Sequence, residues 1–185
     1  MIYSNGASAL ETKFCQFDED LGLKNGTEIS GYASVFGAED QGRDIVVNGA
    51  YKSSLGSLSK RGSSVKMLWQ HDPTTPIGIW DEVREDAKGL FVKGRLLTDV
   101  QAGREALALI KAGAIDGLSI GYRTVRAEKK SGGQRLLHEL DLWEVSLVTF
   151  PMLPEARVDD AANAEDQLAQ ELAGVLNAAR QELLA

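Results

Sequence analysis

The stretch Gly117-Leu118-Ser119-Ile120-Gly121 sets a serine between two glycines, the G-x-S-x-G spacing of a nucleophile elbow. A serine hydroxyl is a weak nucleophile and needs a base within hydrogen-bonding reach. The chain offers only two imidazoles, His71 and His138. His71 ends an apolar run in LWQHDP, where a strand meets a turn, and a structural role is its plainer alternative. His138 lies among acidic neighbours in LLHELD and reads as a solvated strand residue. A third group has to orient the base, and Glu144 in LDLWEVSLVTF is the candidate. Leu140, Leu142, Ser146 and Val148 share its face, with Trp143, Val145 and Leu147 opposite, so an apolar strand buries the carboxylate at least in part. A buried carboxylate neutralises or finds a partner. Two partners are open: an internal ion pair with Arg123 or Arg95, or a histidine that Glu144 holds as a base, as the third member of a triad does.

The elements that would position these residues decide against the elbow. An elbow needs a strand before its serine and a helix directly after it. Here a helix and a tight GAIDG turn come first, and the β-rich YRTVRAE follows. The order Ser, Asp/Glu, His also fails, because His138 is the only later histidine and lies close by. In a strand, Gly117, Ser119 and Gly121 point one way while Leu118 and Ile120 point into the core. Ser119 then lies in a shallow bare strip that another backbone can approach, as a peptide substrate requires. The alternative is a surface serine whose glycines serve only the twist of the strand.

Elsewhere, short periodic segments alternate with turns. Residues 1–27 are polar and irregular. EISGYASVF alternates as a strand with Ile29, Ala33 and Val35 on one face, and DIVV is a second, shorter strand. Asn48 is placed to cap a short helix through GAYKSSLGSL. SVKMLWQ alternates again, with Val65, Met67 and Trp69 on one side. PIGIWDEVRED and GLFVKGRLL form a strand pair around a polar turn at Asp86–Gly89. TDVQAGREALALIKAG reads as a helix, with Thr98 and Gln101 as a capping box and Gly113 as its stop. Its apolar stripe is Val100, Ala106, Leu107, Ile110 and Ala114. LSIGYRTVRAE and LLHELDLWEVSLVTF return to strand around the turn KKSGGQR. Residues 28–158 thus predict one α+β, barrel-like domain with inserted helices. Residues 159–185 predict a linker and an amphipathic helix striped by Leu168, Leu172, Val175, Ala179 and Leu183.

Composition narrows the function classes. The 185 residues carry a formal net charge of −7, which argues against a nucleic-acid partner, since phosphate binding wants a concentrated basic surface. Hydrophobic residues at 43% and charged residues at 25% are ordinary for a soluble domain. No apolar run approaches the ~20 residues of a membrane-spanning helix, so no membrane partner is expected. The first residues lack a basic and then apolar leader, so no signal peptide is expected. Cys15 stands alone, which excludes an internal disulfide and a cysteine-based zinc site. An intracellular domain is the expectation.

LWQHDPTTPIGIW, GLFVKGRLL, IKAGAIDGLSIGYR and DLWEVSLVTFPMLPEARV together resemble the prohead (capsid maturation) serine proteases of HK97-like tailed phages. The resemblance spans Glu28 to Val158 with the motifs in order, and that family looks related to the herpesvirus assemblins, β-barrels wrapped by helices. It implies a serine endopeptidase with His71 as general base, Ser119 as nucleophile and Glu144 as orienting acid. Met152 stands where the family's usual turn has a smaller residue. The resemblance calls for no metal or organic cofactor. It implies partners too: the major capsid protein, through its N-terminal scaffolding segment, and the protease itself, cut by autoproteolysis inside the assembling prohead in the host bacterial cytoplasm. Oxyanion donors are expected from backbone N–H groups near Gly121–Arg123. The terminal helix is expected to dock on a second copy, giving a homodimer, or on a capsid or scaffold partner, with Asp159–Glu165 as a self-cleavage region. Two rival functions stay open: a non-catalytic assembly or scaffolding protein on the same barrel, and a cellular serine hydrolase.

Overall fold

The structure, a computed structural model, describes residues 11–15, 26–40 and 42–149. The expected helix and self-cleavage region in 159–185 lie outside the described residues. Among the described residues, eight strands form one sheet: β1 (Glu11–Cys15), β2 (Glu28–Val35), β3 (Asp44–Val46), β4 (Lys66–Trp69), β5 (Asp72–Glu85), β6 (Gly89–Leu96), β7 (Gly117–Lys129) and β8 (Arg135–Val148). Their hydrogen-bonded order is β1-β7-β8-β4-β5-β6-β2, with β3 added in parallel to β8. The sheet curls until β2 comes against β1 and β7 at the far end of the path. That half-barrel, with helices α1 (Lys52–Lys60) and α2 (Gln101–Lys111), is the α+β architecture the sequence predicts.

The strands follow from composition. β7 and β8 are the longest antiparallel pair of the site, and their inner halves are Leu, Ile and Val positions that bury almost completely. Leu118, Ile120, Leu142, Val145 and Leu147 meet Ile29, Val92 and Trp80 in one core. Trp80 buries its ring and donates its indole N–H to the Val145 carbonyl at 3.1 Å, so its polar atom costs nothing there. The predicted β5–β6 pair forms around Asp86, whose carboxylate accepts the N–H groups of Lys88 and Gly89 at 2.9 and 3.1 Å.

Five local expectations are corrected. The 1–27 segment is not irregular throughout, because β1 pairs antiparallel with β7, Phe14 opposite Ser119. ETKFC is too short to show a period by itself, and it is the free edge of β7 that makes it a strand. Asn48 does not cap α1: the helix starts at Lys52 with Tyr51 at its cap, and Asn48 donates to the Asp86 carbonyl at 3.4 Å. Glu85 from β5 receives the Tyr51 N–H at 3.1 Å instead, placing a carboxylate at the positive end of the helix.

Thr98 and Gln101 do not form a capping box either, since the cap of α2 is Val100 in an extended conformation without a side-chain bond. Gly103 packs against the Leu97 carbonyl, which an added Cβ would overlap, and that close approach turns Thr98–Val100 into a lead-in rather than a cap. The core side of α2 is accordingly Ala102, Gly103, Ala106, Leu107 and Ile110, while Val100 and Ala114 are exposed. Gly113 does end the helix, with φ at +68°. In β2, a register shift between Tyr32 and Ser34 breaks the simple alternation of Ile29, Ala33 and Val35.

Candidate active site

β4 runs parallel beside β8, with Leu68 opposite Ser146 and Trp69 opposite Leu147. The chain then turns within two residues, Gln70 and His71, because Trp69 already pairs with Asp72 at the start of β5. Both turn residues have positive φ, 51° and 63°, which marks the tight hairpin class that normally takes Asn-Gly. Two side-chain-bearing residues in that region cost free energy, so other contacts must hold them. They come from β8 and its continuation. The Gln70 N–H donates to the Leu147 carbonyl at 2.9 Å, the Gln70 amide donates to the Thr149 hydroxyl at 2.6 Å, and the His71 N–H donates to the Ser146 hydroxyl at 3.1 Å.

This turn carries the His71 ring over β8 toward β7. Its Nε2 lies 2.5 Å from Ser119 Oγ, and its Nδ1 makes a short contact with Glu144 Oε1. The three residues selected by type and position in the sequence therefore meet in one continuous chain of hydrogen bonds. Ser119 and Glu144 are brought there by the β7–β8 register, in which Ser119 faces Ser146 and Gly121 faces Glu144. As a carboxylate, Glu144 can only accept, so Nδ1 carries the proton and Nε2 is left to accept from the serine hydroxyl.

The partner of Glu144 is a histidine rather than an arginine. Its side chain is 5% exposed and bonded to His71, whereas Arg123 stacks 4.6 Å above the Trp143 ring and Arg95 pairs with Asp81. His138 stands six residues back along β8, about 20 Å at strand rise, and sits 3.4 Å from Glu128. Trp143 is not on the buried face with Val145 and Leu147. It is the extra residue where the β7–β8 register jumps from Glu144 to Leu142, and it is 45% exposed.

The glycine strip is corrected in its purpose. A Cβ at Gly121 would overlap Glu144 Oε1, so this glycine makes room for the carboxylate rather than for a substrate backbone. Nor is the strip bare: Gly121 and Tyr122 pair with Thr12 and Glu11 on one side and with Glu144 and Leu142 on the other, and Ser119 has no exposed surface. Ser146 is the residue that sequence reasoning passed over. It is fully buried, accepts from His71 and donates to Glu144 Oε2 at 2.6 Å. Among the described residues, no group of three or more His, Cys, Asp or Glu side chains is placed to hold a metal ion.

A curled mixed sheet presenting a serine, an imidazole and a buried carboxylate in hydrogen-bonded series has the constellation of a serine hydrolase. Residues 15–171 match the model of the caudovirus prohead serine proteases, and the chain belongs to that family. It is 31% identical over 133 residues to the prohead protease of Enterobacteria phage HK97, which covers 70% of this chain and 58% of that protein. The capsid polyprotein of Pseudomonas phage PAJU2 is 34% identical over 102 residues, covering 51% of this chain and 15% of the polyprotein. The chain thus spans less than two thirds of the curated relatives it matches. The solved bacteriophage T4 capsid assembly protease superposes with a TM-score of 0.64 over 77% of this chain and 98% of the T4 chain, at 15% identity, which is a likeness of fold.

Proposed function

We propose that the chain is a serine endopeptidase of prohead maturation, with Ser119 as nucleophile, His71 as general base and Glu144 as the group that orients the base. The observation that carries this is the Ser119–His71–Glu144 series, joined across sequence separations of 48 and 73 residues. His71 Nε2 takes the Oγ proton as the oxygen attacks the scissile carbonyl, and returns it to the leaving amine. Water, deprotonated by the same nitrogen, then releases the acyl group from Ser119. Glu144 keeps Nδ1–H pointed at itself and stabilises the imidazolium that forms between the two transfers.

The proposed substrate is the major capsid protein, cut in its scaffolding segment, followed by the protease itself inside the prohead. Family membership supports this reading, as does the capsid polyprotein that contains a segment similar to this chain. A non-catalytic scaffold would gain nothing from burying a carboxylate against a histidine, a costly arrangement to maintain without use. The experiment is incubation with the capsid protein of the same particle, with cuts mapped by mass spectrometry. Wild type is expected to remove the scaffolding segment, and Ser119→Ala to leave capsid protein and protease full-length. Complete processing by purified Ser119→Ala would overturn the assignment. Intact capsid protein after incubation with wild type would favour the scaffold.

A further inference from the structure

We propose that Ser146 is a positioning residue that locks the base and its orienting carboxylate to one another, a role that rests on the reading of Ser119, His71 and Glu144 given above. Its hydroxyl lies directly between the two. The single hydroxyl hydrogen is committed to Glu144 Oε2 at 2.6 Å, and the oxygen accepts the His71 backbone N–H at 3.1 Å. Ser146 is itself held from both sides, opposite Ser119 on β7 and opposite Leu68 on β4. Register thus sets Ser146 between the strand that carries Ser119 and the strand that leads into the His71 turn.

The arrangement answers two needs that the triad alone leaves open. Glu144 has two carboxylate oxygens, of which His71 engages Oε1. An unbonded Oε2 in this buried place would cost free energy and would leave the carboxylate free to rotate away from the ring. Ser146 fills that place. His71, for its part, stands at positive φ in a turn without glycine, and its N–H bond to Ser146 is one of those that make the conformation tolerable. One side chain thus fixes the backbone of the base and the side chain of its orienter. It touches no reacting atom, so its effect is through the placement of His71.

The test compares wild type, Ser146→Ala, Ser146→Cys and Ser146→Thr. The rate of covalent labelling of Ser119 by a fluorophosphonate and the turnover of a capsid-derived peptide are measured on each. Ser146→Ala is expected to fold and to lower both the labelling rate and kcat by about 10- to 100-fold, the scale of a small misplacement of reacting groups, with KM within about 2-fold. The far-downfield proton resonance of His71 Nδ1–H, strong when the imidazole is clamped to Glu144, should weaken or move. Ser146→Thr, which keeps the hydroxyl, should restore both rates and resonance. If Ser146→Ala does not fold, Ser146→Cys keeps the volume while providing only a weak donor and acceptor, and should show the same loss. Wild-type labelling, kcat and resonance in a folded Ser146→Ala or Ser146→Cys would overturn the proposal and leave the triad standing. Absence of labelling at Ser119 in wild type would overturn the triad reading, and this role with it.

Discussion

Gly121 and Glu144 are a matched pair across β7 and β8, the one lacking the atom that the other's carboxylate replaces. The candidate letters are legible in the sequence: Ser119 by its flanking glycines, His71 at the end of an apolar run, and Glu144 as a charge inside an apolar strand. What those letters touch was less legible. The two glycines read as an open strip for substrate, because sequence shows a missing side chain without showing what fills the space. Ser146 gave no signal, since a serine in an apolar strand looks like any small residue at that position. At this scale the sharpest prediction separates Glu144 from His138. Glu144→Gln keeps the shape but cannot hold the required tautomer, and is expected to lower kcat by about 10⁴-fold with the fold intact. His138→Ala, beside Glu128 and about 20 Å away along the strand, should stay within about 2-fold of wild type in the same peptide assay. Reversed phenotypes would assign the third place to His138.

The elements that carry these residues are more legible in the sequence than their ends. Long periodic segments such as β5–β6 and α2 depend on many residues at once, so their patterns survive local exceptions. Caps and bulges depend on one or two contacts that come from elsewhere in the fold. Asn48 looked like a cap because its type favours one, yet Glu85 of a distant strand takes the place at the α1 N-terminus. The turn Gln70–His71 carries none of the usual Asn-Gly signal, because its conformation is imposed by β8. Ser54 shows the same logic in the first turn of α1. It is buried, and its hydroxyl accepts the Leu142 N–H at 2.9 Å beside the bulge that exposes Trp143. Ser54→Ala would strand that buried amide without a partner, and is expected to lower stability by about 1–3 kcal/mol. Urea unfolding provides the check, through a lower midpoint at unchanged slope. An unchanged midpoint would mean that water or a shift of α1 replaces the bond.

Across the whole molecule, carboxylates tie together strands that the chain order keeps far apart. Arg135 at the start of β8 donates to Asp44 of β3 and, at 2.9 Å, to Glu11 of β1, joining the edge strand to the sheet. Asp86 at the β5–β6 turn accepts from the Tyr32 hydroxyl of β2 at 2.7 Å and from Arg84 at 2.6 Å. Burial pushes the Asp86 pKa upward, but the Tyr32 hydroxyl, the Lys88 and Gly89 N–H groups and Arg84 outweigh it and hold the pKa at about 2. Burial likewise pushes Glu11 upward, and its bonds to Thr124 and Arg135 win to leave it below its ordinary value. A carboxylate whose pKa is lower folded than unfolded contributes stability that is complete above the unfolded value, near 4, and fades as pH falls toward the folded one. Acid should therefore weaken the sheet between about pH 4 and pH 2 through Asp86, with Glu11 adding in the same direction. The Asp86 side chain is 25% exposed, so solvent screening reduces its share to about 1 kcal/mol at neutral pH. Asp86→Asn, made in the Ser119→Ala background to suppress any self-digestion, should be less stable than its parent by about that amount at pH 6. The gap should narrow steadily below pH 4, because the parent's own carboxyl becomes protonated while the amide does not change. Urea midpoints at intervals of one pH unit measure it directly. A gap that stayed constant down to pH 2 would show that Asp86 acts through shape and neutral hydrogen bonds, and that the acid sensitivity of the fold lies in other carboxylates.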